Sequence, residues 1–235
     1  MKTINAITYG EGFAVQKSVR TAGLAYLLII LTSILSMIIG PYKLIVEGDI
    51  VATMQNIAAN PLLYRAGAAY DFLMFMGVII LSVALYQVLN TVNKSTALTA
   101  LFSRVGEGLI GTLSVACSVL ILWLIEREDG FSSNQQMVEF LFELKAVIMN
   151  LVFAFLGFGT ILYCALFYHS RYIPRWLAGF GIFAFLLVFG ESVFVILLNI
   201  ESTPVIGVPA ILFEITIGIW LLVKGVNTEY WENAN

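Results

Sequence analysis

Six long runs of apolar residues, separated by short polar segments, constrain this chain more than any other feature. An α-helix rises about 1.5 Å per residue, so roughly 20 apolar residues cross the hydrocarbon core of a bilayer. Prolines lie at run boundaries, at Pro41, Pro174 and Pro204, where a missing N–H costs least. The sequence therefore predicts an all-α, polytopic membrane protein, a bundle of six transmembrane helices at residues 22–40, 66–90, 97–125, 146–169, 176–199 and 204–224.

The composition excludes a soluble domain. Of the 235 residues, 60% are hydrophobic and only 11% are charged, whereas about 25% are charged in a typical soluble domain. So few charged side chains cannot cover the surface of a soluble protein of this size. Because no Pro-rich or Ser-rich linker divides the chain, we predict a single transmembrane domain over residues 1–235.

One polar loop carries a short helix of its own. Asp49 ends a turn and has the side chain of a helix N-cap, and Asn60-Pro61 stops the helix that would follow over residues 50–59. Ile50, Met54 and Ile57 fall on one face of it. We expect this amphipathic helix to lie flat on the outer surface of the membrane.

Basic residues set the expected orientation, because cytoplasmic segments of membrane proteins are enriched in Lys and Arg. Six spans put both termini on one side, and the segments on that side are the more basic. We therefore expect a multi-pass protein of the cell (inner) membrane with both termini in the cytoplasm and the first span as an uncleaved signal anchor. The cytoplasmic set has seven basic residues, Lys2, Lys17, Arg20, Lys94, Arg171, Arg175 and Lys224, and the outer set has four, Lys43, Arg65, Arg127 and Lys145.

Several functional classes lack their signatures. The net charge is −3 and no basic run exists, so nucleic acid is not an expected partner. His169 is the one histidine, which rules out a His-based zinc or di-iron site and leaves an all-carboxylate site for a hard metal ion as the alternative. Cys117 and Cys164 lie inside apolar runs and are expected to be small buried hydrophobic residues. We predict no metal and no cofactor; the expected partners are membrane lipids and a hydrophobic small molecule.

The candidate functional residues are the charges inside the spans. A charge at the bilayer centre costs about 2.5–3.5 kcal/mol on insertion scales, so these side chains should face the bundle interior. Facing inward, they would form a ladder from the outer surface to the middle of the membrane and would line a ligand pocket. They are Asp71, Arg104, Glu107, Glu191 and Glu214.

Arg104 and Glu107 are three residues apart on one helix, which predicts a pair on a shared face. Asp71, Glu191 and Glu214 have no basic residue in their own spans, and Arg104 cannot contact all of them. We therefore expect at least one acid to be neutral at physiological pH, which suits proton donation or proton coupling. The alternative interpretation is a buried polar network that only orders helix packing.

Gly106, Gly108 and Gly111 match the spacing G-x-G-x-x-G. A dinucleotide site needs this motif between a strand and a helix, whereas here it lies inside an apolar span. Small residues in such a span let neighbouring helices approach closely. A second interpretation is that these glycines leave room for a ligand beside Glu107.

The segments together resemble the DUF4386 family of bacterial integral membrane proteins, whose function is unknown. The resemblance implies a bacterial membrane protein with six helices, and it transfers no activity and no catalytic residue. It covers about residues 20–225 and is carried by Arg20-Thr-Ala-Gly, Gly48-Asp49-Ile-Val-Ala-Thr-Met-Gln-Asn56, Leu85-Tyr86-Gln, the segment around Arg104, Tyr172-Ile-Pro174-Arg-Trp, and Glu214 through Gly225.

Three hypotheses of function follow. In the first, the protein binds or moves a lipid-like or other small hydrophobic molecule in an intramembrane pocket lined by the acids and Arg104, and proton-coupled transport is a variant of it. In the second, it is an enzyme doing acid chemistry on a membrane-dissolved, isoprenoid-like substrate, in the manner of a terpene cyclase, with Glu107, Glu214 and Glu191 as catalytic candidates. In the third, it is a structural or accessory subunit.

Overall fold

The computed structural model is helical throughout the part of the chain that it describes. Backbone is described for residues 2–39, 41–127, 131–198, 200 and 202–227, and side chains for 15–38, 42–127, 134–198, 200, 202–203 and 205–227. The helices are α1 (Lys2–Ile39), α2 (Ile50–Ala59), α3 (Pro61–Leu89), α4 (Lys94–Ile125), α5 (Phe131–Ser170), α6 (Arg175–Leu198) and α7 (Val208–Val223), with short 3-10 turns at Pro41–Lys43 and Pro204–Gly207.

The six predicted spans are confirmed as helices long and apolar enough to cross a membrane, and three of them begin at least five residues earlier than predicted. The first span begins at Val15 instead of residue 22, the second at Pro61 instead of residue 66, and the apolar part of α5 at Asn134 instead of residue 146. α5 has 40 residues and is about 60 Å long. Its extension places Lys145, which the count of basic residues had put among the outer segments, in the apolar part of this helix.

The short helix α2 is confirmed with both of its predicted boundaries. Asp49 Oδ1 accepts a hydrogen bond of 2.9 Å from the backbone N–H of Ala52, which satisfies one of the free donors of the first turn. The helix ends at Ala59, before Pro61. Met54 and Ile57 are fully buried in a cluster with residues of α4 and α5, so the apolar face of α2 covers the end of the bundle.

Two apolar clusters fill the bundle, and a polar stretch of α4 lies between them. One cluster contains Ala97 and Ala100 near the start of α4, and the other contains Ile121 and Leu122 near its end. The side chains between them on the same buried face are small or charged. They are Ser103, Arg104, Glu107, Gly108, Gly111, Ser114 and Ser118.

The bundle has two ends that differ in charge. We call the end with residues 90–94, 170–175 and 224–227 the basic end and the end with residues 42–60 and 126–127 the acidic end. Asn93 starts α4 at the basic end by accepting a hydrogen bond of 2.9 Å from the N–H of Thr96. The helices run alternately between these ends, as six antiparallel spans require.

Candidate functional site

Arg104 and Glu107 form an ion pair in the middle of α4. Nη1 of Arg104 lies 2.6 Å from Oε2 of Glu107, and the two side chains are 3% and 5% exposed. This contact confirms the predicted pairing on one helix face. The Oε2 atom has no hydrogen bond of good geometry, so the contact is an ion pair by distance without an aligned N–H donor.

α5 makes room for the arginine by means of a glycine. A Cβ atom on Gly159 would lie 2.9 Å from Cγ of Arg104, so the aliphatic part of the arginine occupies the space that a larger residue would fill. Thr160, the next residue, accepts a hydrogen bond of 3.4 Å from Nη1. Ser103 donates another, of 2.9 Å, to the carbonyl of Phe155. Two polar contacts and one glycine therefore position Arg104 against α5.

Glu214 approaches the same arginine from α7. Arg104 interacts electrostatically with both Glu107 and Glu214, and the two acids also interact with each other. Glu214 keeps some accessible surface, whereas Arg104 and Glu107 are buried. Tyr26 of α1 and Tyr163 of α5 lie within electrostatic range of the guanidinium. We call Arg104, Glu107 and Glu214 the central cluster.

The central cluster has more acid than base among the described residues. One guanidinium lies within electrostatic range of two carboxylates and forms its ion pair with Glu107, and a buried charge is stable only when it is paired and hydrogen-bonded. Arg104 can compensate one negative charge, and the second carboxylate needs a proton or another positive group. This imbalance is the main chemical property of the site.

Asp71 belongs to a different group nearer the acidic end. Its Oδ1 accepts a hydrogen bond of 2.7 Å from Ser36, and its Oδ2 lies 3.9 Å from Nζ of Lys145. Lys145 also donates a hydrogen bond of 2.8 Å to Ser118 of α4. We call Asp71 and Lys145 the peripheral pair.

Lys145 corrects the sequence prediction, which counted it as a residue of an outer loop. α5 is helical and apolar from Asn134 onward, so Lys145 points into the bundle. A helical pattern was present in the sequence: Leu141, Ile148 and Val152 are buried on the face that contains residue 145. That periodicity identifies Lys145 as an inward-facing cation, although it does not identify its partner.

Glu191 is separate from both groups. Its Oε1 accepts hydrogen bonds from the hydroxyl of Ser202 at 3.1 Å and from the backbone N–H of Thr203. These contacts connect the end of α6 to the segment before α7. The five candidate residues therefore occupy three places, and the structure does not join them into one continuous ladder.

The glycines around Glu107 serve helix packing. A Cβ on Gly111 would lie 2.1 Å from the ring of Phe75, and one on Gly108 would lie 2.9 Å from Ile79. A Cβ on Gly106 would lie 3.1 Å from the ring of Phe155. The space beside these glycines is thus occupied by side chains of α3 and α5, which contradicts the interpretation that they leave room for a ligand.

The remaining candidates for chemistry are two thiols. Cys117 and Cys164 are free and buried, as expected for small apolar residues. Among the residues that the structure describes, no three His, Cys, Asp or Glu side chains are grouped as metal ligands would be.

The fold and the charged interior define an all-α, multi-pass membrane protein. The family model described as "Domain of unknown function (DUF4386)" matches residues 21–225, and the chain belongs to this family. No curated protein and no solved structure matches the chain. The family membership confirms the resemblance found in the sequence and assigns no activity.

Proposed function

We propose that this protein binds or moves a lipid-like or other small hydrophobic molecule inside the membrane, and that the central cluster is its polar contact. The observation that carries the proposal is the presence of two carboxylates within electrostatic range of one arginine, of which Glu107 forms the ion pair and Glu214 keeps accessible surface. Arg104 and Glu107 are enclosed, so Glu214 is the group that a ligand would meet. Asp71 and Glu191 lie outside this contact.

The charge imbalance favours binding over a purely structural role. A packing network is most stable when every buried charge is compensated, and a second carboxylate facing one guanidinium departs from that. A ligand with a hydrogen-bond donor or a positive group would compensate Glu214, and so would a proton. Exchange of the ligand against the proton would couple movement of the molecule to proton transfer.

The experiment measures the reactivity of Glu214 toward dicyclohexylcarbodiimide, an apolar reagent that modifies protonated carboxyl groups in membranes. The full chain is purified in detergent, treated with the reagent, and analysed by intact mass and peptide mapping. We expect one adduct on Glu214, its loss in Glu214→Gln, and its retention in Asp71→Asn. An unmodified Glu214 would contradict the accessible, proton-accepting carboxyl that the proposal requires.

A second measurement separates the three hypotheses. Lipid extracts of purified wild type and Glu214→Gln are compared by mass spectrometry for a co-purifying small molecule. A molecule retained by the wild type and lost from the variant supports binding. A molecule that the wild type contains in a chemically converted form, and the variant in its unconverted form, would support the enzymatic alternative. Identical extracts together with a lower yield of the variant would support the structural alternative.

We also propose that the protein lies in the cytoplasmic membrane of a bacterium with its basic end inside. The support is the excess of Lys and Arg at that end. Single cysteines placed at Lys94 and at Lys43, in a chain whose two buried cysteines are replaced by alanine, test the orientation. An impermeant thiol reagent added to intact cells should label the cysteine at position 43 and not the one at 94; the reverse pattern would invert the topology.

A further inference from the structure

A basic groove lies at the basic end of the bundle, between the turn that joins α5 to α6 and the residues that follow α7. Its volume is about 590 Å³. Arg171, Arg175 and Lys224 line it together with Trp220, and none of the lining residues in the described part of the chain is acidic. The groove is therefore a concentration of positive charge beside an aromatic ring, at the level where the spans end.

Contacts within the chain hold the walls of this groove in place. The N–H of Asn227 donates a hydrogen bond of 3.0 Å to the carbonyl of Tyr172, and Nε2 of Gln16 donates one of 3.4 Å to the carbonyl of Val226. Gly225 has a φ of 71°, a conformation that glycine adopts without cost. The segment after α7 is thus folded back against α1 and against the α5–α6 turn.

Two of the cations are positioned by the backbone and by an aromatic ring. Arg171 directly follows the last residue of α5 and has a φ of 61°, a left-handed conformation in which many helices end. Nε of Arg175 donates a hydrogen bond of 3.4 Å to the carbonyl of Tyr168, and its guanidinium lies 5.3 Å from the centre of the Tyr168 ring. The end of α5 and the tyrosine ring thus fix the positions of two of the three cations.

The helix ends that border the groove oppose each other. α6 begins at Arg175 and brings the positive end of its dipole, whereas α5 ends at Ser170 and α7 ends at Val223, and each brings a negative end. The helix ends together therefore add no positive charge to the groove. The sign of the groove is therefore decided by its side chains, of which Lys224 follows the end of α7 directly.

We propose that this groove binds the phosphate group of an anionic phospholipid in the adjacent leaflet. Arg and Lys are the residues that recognise phosphate, Arg by two parallel N–H bonds and Lys as a point charge. Trp220 lies on the last turn of a membrane span, the level at which indole rings meet lipid headgroups. A lipid source fits this position, because the acyl chains would continue along the apolar surface of the spans.

The experiment measures lipid preference by native mass spectrometry of the purified full chain. Protein in detergent is mixed with equal amounts of phosphatidylglycerol and phosphatidylcholine, and the bound lipids are counted. We expect more phosphatidylglycerol than phosphatidylcholine to be bound by the wild type. In the double variant Arg175→Gln/Lys224→Gln, the ratio of the two bound lipids should fall by about fivefold for each cation removed. The double variant Arg175→Lys/Lys224→Arg should keep it.

A matched control removes the same charge from the same end outside the groove. Lys17 and Lys94 are exposed residues of the basic end that do not line the groove, so Lys17→Gln/Lys94→Gln should retain the lipid preference. Equal loss in both double variants would overturn the proposal, since it would show only a general attraction to basic residues. A groove variant that binds lipids as the wild type does would overturn it as well.

A competition arm separates the two sources of phosphate. Inorganic phosphate is added to the complex with phosphatidylglycerol at constant ionic strength, with sulfate as the matched anion. Retention of the lipid supports a lipid site. Displacement by phosphate but not by sulfate would assign the groove to a free phosphate and would overturn the lipid source. Circular dichroism of each variant verifies that the helical fold is intact.

Discussion

The bundle contains two groups of opposite charges, one of which was predicted from the sequence and one of which only the structure brings together. In the central cluster, the atoms of Arg104 and Glu107 are 2.6 Å apart and the side chains are 3% and 5% exposed. In the peripheral pair, Asp71 and Lys145 are 3.9 Å apart and are 16% and 18% exposed. In the first group the ion pair is enclosed and a surplus acid lies near it, whereas the second group is balanced and partly exposed.

This difference separates two uses of charge in a membrane protein. The peripheral pair is neutral as a pair and has hydroxyl partners in Ser36 and Ser118, an arrangement that compensates both charges within the protein. The central cluster compensates one carboxylate of two and leaves Glu214 dependent on a proton or a ligand. Charge balance, more than the presence of charge, distinguishes the candidate site from a packing contact.

The largest expected effect comes from breaking the central ion pair. Arg104→Met leaves Glu107 buried without its cation, and removing one partner of a buried pair typically costs about 3–5 kcal/mol. We expect a loss of this size in the free energy of unfolding, measured in mixed micelles. The control is Arg65→Met, which breaks the exposed pair with Glu126 and should cost less than about 1 kcal/mol. Equal losses would refute the distinction between enclosed and exposed pairs.

The next effect concerns the packing that separates the two groups along α4. Gly111→Ala places a methyl group 2.1 Å from the ring of Phe75, and overpacking of this kind costs about 1–3 kcal/mol. Gly190→Ala in α6 is the matched control, because nothing lies within 4 Å of its Cβ position. We expect a lower melting temperature for Gly111→Ala and an unchanged one for Gly190→Ala. An unchanged melting temperature for Gly111→Ala would show that the ring of Phe75 moves aside freely.

A smaller effect is expected from the peripheral pair. Lys145→Met removes the cation from Asp71, which retains Ser36 as a hydrogen-bond donor and partial exposure. We expect a loss of about 1–2 kcal/mol in the free energy of unfolding, in the lower part of the range of about 1–3 kcal/mol for an unsatisfied buried polar group. A double-mutant cycle with Asp71→Asn measures the coupling of the pair directly. Coupling as strong as that between Arg104 and Glu107 would erase the comparison between the two groups.

The smallest effect on stability is expected from the surplus acid itself. Glu214→Gln removes a negative charge while Arg104 keeps Glu107 as its partner, so the free energy of unfolding should change by less than about 1 kcal/mol in either direction. The measurement is the same micelle unfolding, with Glu107→Gln as the control. A large loss for Glu214→Gln would mean that Glu214, and not Glu107, is the principal partner of the arginine.

Features that depend on one helix or one turn were predictable from the sequence. Asp49 starts α2 and Asn60-Pro61 ends it, because capping and chain termination involve neighbouring residues. Arg104 and Glu107 pair because residues three apart share a helix face. Glu191 shows the limit of such local reasoning, since its partners Ser202 and Thr203 are near in sequence but lie across a turn whose path depends on how α6 and α7 pack.

The sequence by itself determined the solvent and the fold class, because runs of apolar residues of this length are stable only as helices in lipid. It also determined five of the residues that are charged within the spans, and it placed Lys145 outside them. Only the tertiary structure decided which of them meet: Lys145 faces Asp71 across two helices, and Glu214 approaches Arg104 from the last one. The physical reason is that a charged side chain in a helix can reach only residues up to four positions away in the same helix. Any other partner must come from a neighbouring helix, so it depends on how that helix is rotated and shifted along its axis.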